Sequence, residues 1–122
     1  MGFNATILYP NEADTTFDMK YYLSNHMPLV EERFKKYGLK SWEVTQYYDP
    51  QAAGGSSEQQ QSGKEEEKPP FVTGCTLVWD SPDQLGAAMS SEDAKPVLDD
   101  IKNFSNKGPV FLGGQVVGKS SM

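Results

Sequence analysis

Residues 17–30 read Phe-Asp-Met-Lys-Tyr-Tyr-Leu-Ser-Asn-His-Met-Pro-Leu-Val. This segment opens a helical region predicted over 18–37, in which Asp18 can cap the first turn and Gly38 ends the last. The apolar residues that recur at helical spacing are Met19, Leu23, Val30, Phe34 and Tyr37. Pro28 lacks a backbone N–H and disfavours helical geometry at the residue before it. We therefore expect a break or kink at 26–28, with Pro28 opening a second helical segment.

Four runs rich in strand-forming residues flank the helical regions. They cover 3–9, 41–48, 71–79 and 109–117. A second helical region is predicted over about 82–90 and 94–104, between the last two runs. The order is strand, helix, strand, strand, helix, strand, which describes the split-βαβ plan. The predicted fold class is α+β: a ferredoxin-like βαββαβ domain spanning 1–122, with a four-stranded antiparallel sheet and helices on one face.

Residues 49–70 differ from the rest of the chain in composition. They read DPQAAGGSSEQQQSGKEEEKPP, with Ala52 and Ala53 as the apolar residues. Such a segment buries too little apolar area to offset the entropy of ordering it. We predict a disordered loop inserted in the domain. A tolerated surface insertion explains it more simply than a regulatory or partner-binding role.

The predicted sheet has apolar side chains on both faces. In the third strand, Cys75 and Leu77 alternate with Val72 and Val78. The predicted helices are sufficient to cover one face, so the other face needs a partner. The sequence therefore predicts a homodimer in which two sheets pack face to face and form an α+β barrel.

The composition excludes several classes of protein and site. The net charge is −6 and the chain has a single arginine, so nucleic acid and an anionic membrane are poor partners. No apolar run approaches the ~20 residues of a membrane span. One cysteine and one histidine argue against a disulfide or a structural zinc site. The N-terminus lacks a secretory pattern, which favours a cytoplasmic protein with a reduced thiol.

The segment 17–30 resembles the EthD-type signature of the dimeric α+β-barrel superfamily. The matching elements are Phe17-Asp18, Tyr21-Tyr22, His26-x-Pro28 and Leu29-Val30, preceded by Ile7-Leu8-Tyr9-Pro10 and followed by Tyr37-Gly38-Leu39. The resemblance is strongest over about 3–48. It implies the ferredoxin-like fold and a homodimer. Relatives are implicated in cofactor-free oxygenation of phenolic compounds, decarboxylation or dehydration of aromatic polyketides, and lactone isomerisation, and others bind haem, so fold alone does not identify the reaction.

His26 is the first candidate for chemistry. Its imidazole can act as an acid or a base near neutral pH, and it lies at the expected helix break. Spacing alone favours a structural histidine that packs or caps this break, whereas the family resemblance gives the structural and the catalytic roles equal weight. Tyr22 precedes His26 by four residues and shares its helix face, so its phenol could orient the imidazole or bind an oxygenated substrate.

Other aromatic side chains could line a substrate pocket. The candidates are Tyr9, Tyr21, Trp42 and Trp79. Core packing is the default explanation for each of them. Asp18 is better explained as a helix cap than as a partner of His26. Arg33 fits a solvated charged face, and Cys75 fits a small buried hydrophobe better than a nucleophile.

Two functional hypotheses follow. The first is a cofactor-independent enzyme that holds an apolar or aromatic small molecule between sheet and helices, with His26 as acid/base and Tyr22 as supporting donor. Its reaction would be that of an oxygenase, decarboxylase, dehydratase or cyclase. The second is a non-catalytic small-molecule-binding or stress-response protein of the same fold. A haem-binding variant is a third option, because His26 could supply one axial ligand, but no cofactor and no metal are expected.

Overall fold

The computed structural model describes residues 2–47 and 69–120. Its strands are β1 (Phe3–Pro10), β2 (Ser41–Gln46), β3 (Phe71–Trp79) and β4 (Val110–Gln115). Its α-helices are α1 (Met19–Tyr21), α2 (Met27–Phe34), α3 (Pro82–Met89) and α4 (Ala94–Asp99). A π-helical turn (Tyr22–His26) joins α1 to α2. Short 3₁₀ turns follow α2 (Lys35–Tyr37) and α4 (Asp100–Asn103).

The four strands form one antiparallel sheet in the order β2-β3-β1-β4. The two central strands are β1 and β3, which pair from Phe3 opposite Trp79 to Tyr9 opposite Thr73. They supply most of the buried strand residues, whereas β4 is an edge strand whose residues are all exposed. This topology confirms the predicted ferredoxin-like βαββαβ fold.

The backbone stays helical through 26–28, so the expected break is absent, whereas Pro28 opens a second helical segment, α2, as predicted. His26 and Met27 both keep right-handed helical backbone angles. The chain instead widens into the π turn, where the Met27 N–H donates to the Tyr22 carbonyl five residues back. Pro28 lies in the first turn of α2, a position in which proline is common. The Asp18 cap is confirmed, because its carboxylate accepts from the Tyr21 N–H at 3.1 Å.

The core lies between the sheet and the helices. Its strand residues come from one face of β1 and β3: Ala5, Tyr9, Cys75, Leu77 and Trp79. Its helical residues come mainly from the π turn, α2 and α4, and include Tyr22, Met27, Val30, Phe34 and Val97. The helices therefore cover one face of the sheet, as predicted.

The second face of the sheet is less apolar than expected. Thr6 opposes Thr76 there, and Glu43 lies beside Thr76 on the next strand. Apolar residues share the face at Leu8, Val72, Val78, Val110 and Leu112. This face is therefore a mixed surface, in which threonines and a carboxylate separate aliphatic side chains.

The predicted loop insertion, 49–70, lies outside the described residues except for its last two positions. There the backbone is held, because Asn11 binds the carbonyl of Pro69 through its side chain at 3.0 Å and that of Pro70 through its N–H at 2.9 Å. Across the described ranges, no helix has both the length and the apolar character required to cross a membrane.

Candidate functional site

A small cavity lies between the sheet and the first helical region. Its volume is about 40 Å³. Its walls come from β1, β3, β4, the π turn, α2, the end of α3, and the α4 region, which is α4 together with the 3₁₀ turn after it. The lining is mostly aliphatic, and its polar groups are Tyr9, Tyr22, His26 and Cys75. Leu98 and Phe111 also line the cavity, and they are 40% and 52% exposed. The cavity is therefore an apolar space with a few polar groups and a partly exposed rim.

His26 is held in this wall by contacts on several sides. The side chain is buried, with 4% of the residue exposed. Its ring stacks on Tyr22, with centroids 5.4 Å apart and planes 13° apart. The Phe104 ring lies against it at 4.6 Å. Nδ1 lies 3.0 Å from Oδ2 of Asp100. Among the described residues, none forms a hydrogen bond with Nε2 of His26.

Asp100 is the functional candidate that the sequence analysis missed. It opens the 3₁₀ turn after α4, and its other carboxylate oxygen, Oδ1, accepts from the Tyr21 hydroxyl at 2.6 Å and from Asn103 Nδ2 at 2.8 Å. The contact with His26 joins residues that are 74 positions apart. Its neighbour Asp99 is chemically identical, so the sequence contains no signal that distinguishes the two.

The charge states of the pair follow from burial and hydrogen bonding. Burial lowers the pKa of His26 below its ordinary value of 6.5, although Asp100 partly opposes this effect. Partial burial would raise the pKa of Asp100, but hydrogen bonds from Tyr21, Asn103 and His26 outweigh it and hold that pKa below 3.8. At neutral pH the pair is therefore a neutral imidazole beside a carboxylate.

The other polar groups of the cavity keep their protons. Burial, together with the nearby Cys75, raises the pKa values of Tyr9 and Tyr22 far above the ordinary value for tyrosine. Burial also raises the pKa of the Cys75 thiol to about 11. The tyrosines can therefore donate hydrogen bonds, and the thiol is not poised as a nucleophile.

The structure separates the predicted site residues into two groups. His26, Tyr22 and Tyr9 come together at the cavity, and Tyr21 reaches the same cluster through Asp100. The two tryptophans do not line this cavity. Trp42 donates from Nε1 to Glu31 at 3.0 Å, and Trp79 is 0% exposed and packs near Phe34 in the core. Trp42 lies on edge strand β2, away from the α4 region, and Trp79 is enclosed by core side chains.

Arg33 is not simply part of a solvated charged face. Its Nη1 lies 3.3 Å from Oδ1 of Asp93, and Lys36 Nζ lies 2.9 Å from Oδ2. The Tyr37 hydroxyl donates to the same Oδ2 at 2.9 Å. This cluster ties the end of α2 to the start of α4, so its role in the described geometry is to join two helices.

The described residues contain no cluster of three or more His, Cys, Asp or Glu side chains that could hold a metal ion. A cavity of about 40 Å³ is also far smaller than the several hundred Å³ of ordinary cofactor sites. In this conformation the cavity beside His26 is too small to hold haem.

Comparison with known proteins agrees with the fold. An EthD-like protein from Ralstonia eutropha has 26% identity and a TM-score of 0.77, and the match covers 98% of this chain and 96% of that one. An ethyl tert-butyl ether D (EthD) family protein from Bacillus halodurans has 20% identity and a TM-score of 0.65, with 96% and 100% covered. A dimeric ferredoxin-like protein of unknown function from a Jannaschia species has 12% identity and a TM-score of 0.56, with 94% and 98% covered.

A search of curated proteins finds no match to the sequence. The profile of the EthD domain matches residues 11–108, a range that includes the π turn, the cavity helices and Asp100. The chain belongs to the EthD domain family.

Proposed function

We propose that this protein is a homodimer that binds an apolar or aromatic small molecule between sheet and helices and acts on it without a cofactor, with His26 as acid/base. The observation that carries the proposal is the position of His26, a neutral and buried imidazole in the wall of an apolar cavity. Buried titratable groups in apolar pockets are the usual candidates for proton transfer. The proposed reaction is that of an oxygenase, decarboxylase, dehydratase or cyclase on aromatic or polyketide-like compounds, in the cytoplasm.

The chemistry of the lining supports an oxygen-bearing ligand. An aromatic body would contact the aliphatic walls, and the protonated hydroxyls of Tyr22 and Tyr9 could donate to its oxygen atoms. Tyr22 is the supporting donor of the proposal. Tyr21 stays a candidate through its contact with Asp100, whereas Trp42 and Trp79 have no part in this cavity.

The volume of the cavity sets a condition on binding. About 40 Å³ is room for little more than water, so an aromatic ligand requires rim side chains to move. Leu98 and Phe111 are the rim residues with the greatest exposure, and rotation of exposed side chains is rapid. We propose that ligand entry displaces these two side chains.

Three observations support the homodimer. The Jannaschia relative is described as dimeric, the second sheet face has aliphatic residues, and β4 exposes apolar side chains. Sedimentation at micromolar concentration tests this part of the proposal, with Val78→Lys as the variant expected to weaken association. A wild-type chain that sediments as a monomer would reject it.

Turnover tests the assignment of His26. The wild type would be incubated in air with a panel of phenols, anthrones and aromatic β-keto acids, and products would be followed by mass spectrometry. His26→Gln should lower the rate at least ~100-fold, the usual size of a general acid–base contribution, while the dimer persists. Tyr22→Phe, which removes the supporting donor, should also lower the rate. Tyr37→Phe is its matched control and should leave the rate unchanged, because it removes a tyrosine hydroxyl that bonds to Asp93 away from the cavity. Equal turnover by wild type and His26→Gln would contradict the proposal.

The alternative is a non-catalytic small-molecule-binding or stress-response protein of the same fold. It is favoured by the direct bond between His26 and Asp100, since that bond also suits a structural histidine. In this case compounds of the panel would bind, no product would form from any of them, and His26→Gln would change stability alone.

A further inference from the structure

We propose that Asp100 is a positioning residue that keeps the proton of His26 on Nδ1 and leaves Nε2 as a bare acceptor, so that His26 starts its reaction as a base. The inference rests on the proposed function, because it assumes that His26 acts on a molecule in the cavity. It goes beyond that proposal by naming the direction of the first proton transfer and the residue that sets it.

The carboxylate divides its two oxygens between different partners. Oδ1 accepts from the Tyr21 hydroxyl at 2.6 Å and from Asn103 Nδ2 at 2.8 Å, and Oδ2 faces His26 Nδ1 at 3.0 Å. An ionised carboxylate can only accept hydrogen bonds. The imidazole must therefore donate from Nδ1, and in its neutral form it then has no proton on Nε2.

Tyr21 and Tyr22 are neighbours in the chain and hold the pair from two sides. The Tyr21 hydroxyl fixes the carboxylate, and the Tyr22 ring stacks on the imidazole at 5.4 Å. The ring of Phe104 packs against the imidazole from the side of α4, with centroids 4.6 Å apart. Both members of the pair are therefore oriented before any ligand arrives, as a preorganised base requires.

The proton transfer balances without another reactant. An O–H or C–H bond of the ligand breaks, its electron pair stays on the ligand, and the proton moves to Nε2. The resulting imidazolium has both nitrogens protonated, and its Nδ1–H faces the Asp100 carboxylate, which stabilises the positive charge. The ligand class is thus an apolar compound with an acidic O–H or C–H group, and the reaction class is one that begins with proton loss.

A single histidine makes the tautomer directly measurable. Long-range ¹H–¹⁵N correlation spectra of the labelled full chain would be recorded well above the ordinary imidazole pKa of about 6.5. The wild type should show one imidazole with its proton on Nδ1. No ligand or turnover is needed, so this result is independent of whether the proposed enzyme activity exists.

Asp100→Asn should invert the tautomer. Tyr21 and Asn103 both donate at the Oδ1 position, so the new carbonyl should take that position and its NH₂ should face His26 Nδ1. Nδ1 must then accept, and the proton should move to Nε2. Asp93→Asn is the matched control, because Asp93 also accepts from a tyrosine hydroxyl but lies in the Arg33 and Lys36 cluster. It should leave the tautomer unchanged.

The outcomes separate the inference from the proposed function. A wild type with its proton on Nε2, or Asp100→Asn with its proton still on Nδ1, would overturn the positioning role. If Asp100→Asn fails to fold, the wild-type spectrum and Tyr21→Phe still decide: Tyr21→Phe should keep the Nδ1–H form, since Asn103 and the carboxylate remain. An Nδ1–H tautomer without turnover on any panel compound would reject the proposed enzyme and the role of His26 as a base, and would leave Asp100 as the residue that sets the tautomer.

Discussion

The imidazole of His26 lies almost parallel to the ring of Tyr22, with planes 13° apart and centroids separated by 5.4 Å. The two residues are four positions apart in the π turn, a spacing that keeps them on one side of the helix. Tyr21, the last residue of α1, lies on an adjacent side, where it reaches Asp100 at 2.6 Å. One short helical stretch therefore positions three of the side chains near the cavity.

Acid should destabilise the protein through His26. Its folded-state pKa lies below 6.5, so on acidification the unfolded chain takes up the proton first. The stabilisation is complete above about pH 6.5 and is lost as the pH falls towards the folded-state pKa. The groups around the ring are Asp100, Tyr21 and Tyr22, and Asp100, whose pKa is also lowered, adds a loss of the same sign at lower pH.

Urea unfolding at about pH 7.5 and about pH 5.5 measures this effect. The wild type should lose stability at the lower pH, and His26→Gln should lose much less. A wild type that is more stable at the lower pH would contradict a lowered pKa for His26.

Two glycines should respond to alanine in opposite directions. Gly38 ends the first helical region at φ 111°, and a Cβ there would lie 2.5 Å from the Gln84 side-chain nitrogen. Gly38→Ala should therefore destabilise by about 1–2 kcal/mol, the cost of left-handed backbone for a residue with a Cβ. Gly86 lies inside α3 with no atom within 4 Å of its Cβ position, so Gly86→Ala should stabilise by about 0.5–1 kcal/mol. Thermal unfolding compares the two, and a stabilised Gly38→Ala would exclude the backbone argument.

The two tryptophans should differ sharply in their contribution to stability. Trp79 is 0% exposed and packs near Phe34, so Trp79→Ala should cost about 3–5 kcal/mol through the cavity it leaves. Trp42 is half-buried and donates a hydrogen bond to Glu31, so Trp42→Ala should lower the free energy of unfolding by roughly 1 kcal/mol. Denaturant midpoints measure both changes. Similar losses for the two variants would show that Trp79 is not enclosed as described.

The single thiol should be slow to react while the protein is folded. Cys75 is buried, and its pKa is raised to about 11, so it is inaccessible and has little thiolate at neutral pH. A coloured disulfide reagent should label it slowly in native buffer and rapidly in denaturant. Rapid stoichiometric labelling of the native protein would mean that the part of the cavity wall around Cys75 opens readily.

Local signals account for the parts of the structure that the sequence predicted well. Asp18 and Gly38 act on their own backbone neighbourhood, and alternation of residues identified the strands. Pro28 opens α2 as predicted, but the expected break is absent, because the sequence does not distinguish a broken helix from one that widens into a π turn. The contact between His26 and Asp100 depends on how α4 packs against the first helical region, which no local pattern encodes.

The tryptophans show the same limit. Both lie in strand patterns with apolar neighbours, so the sequence does not distinguish whether Trp42 or Trp79 lines a pocket. Their different surroundings arise from strand order, since β3 is central and β2 is an edge strand. The side chain on β3 is enclosed, whereas the one on β2 stays at the periphery.

The π turn accommodates one extra residue at one place in the molecule. Deleting one residue between Tyr22 and His26 would let the helix return to regular winding, with a bond to the fourth preceding carbonyl in place of the fifth, and the segments on either side would rotate little relative to each other. The sheet and α2 could then form unchanged. Among relatives with this fold, chains that differ by one residue in this short segment could therefore present α1 and α2 to the same side of the domain, with the difference confined to the turn itself.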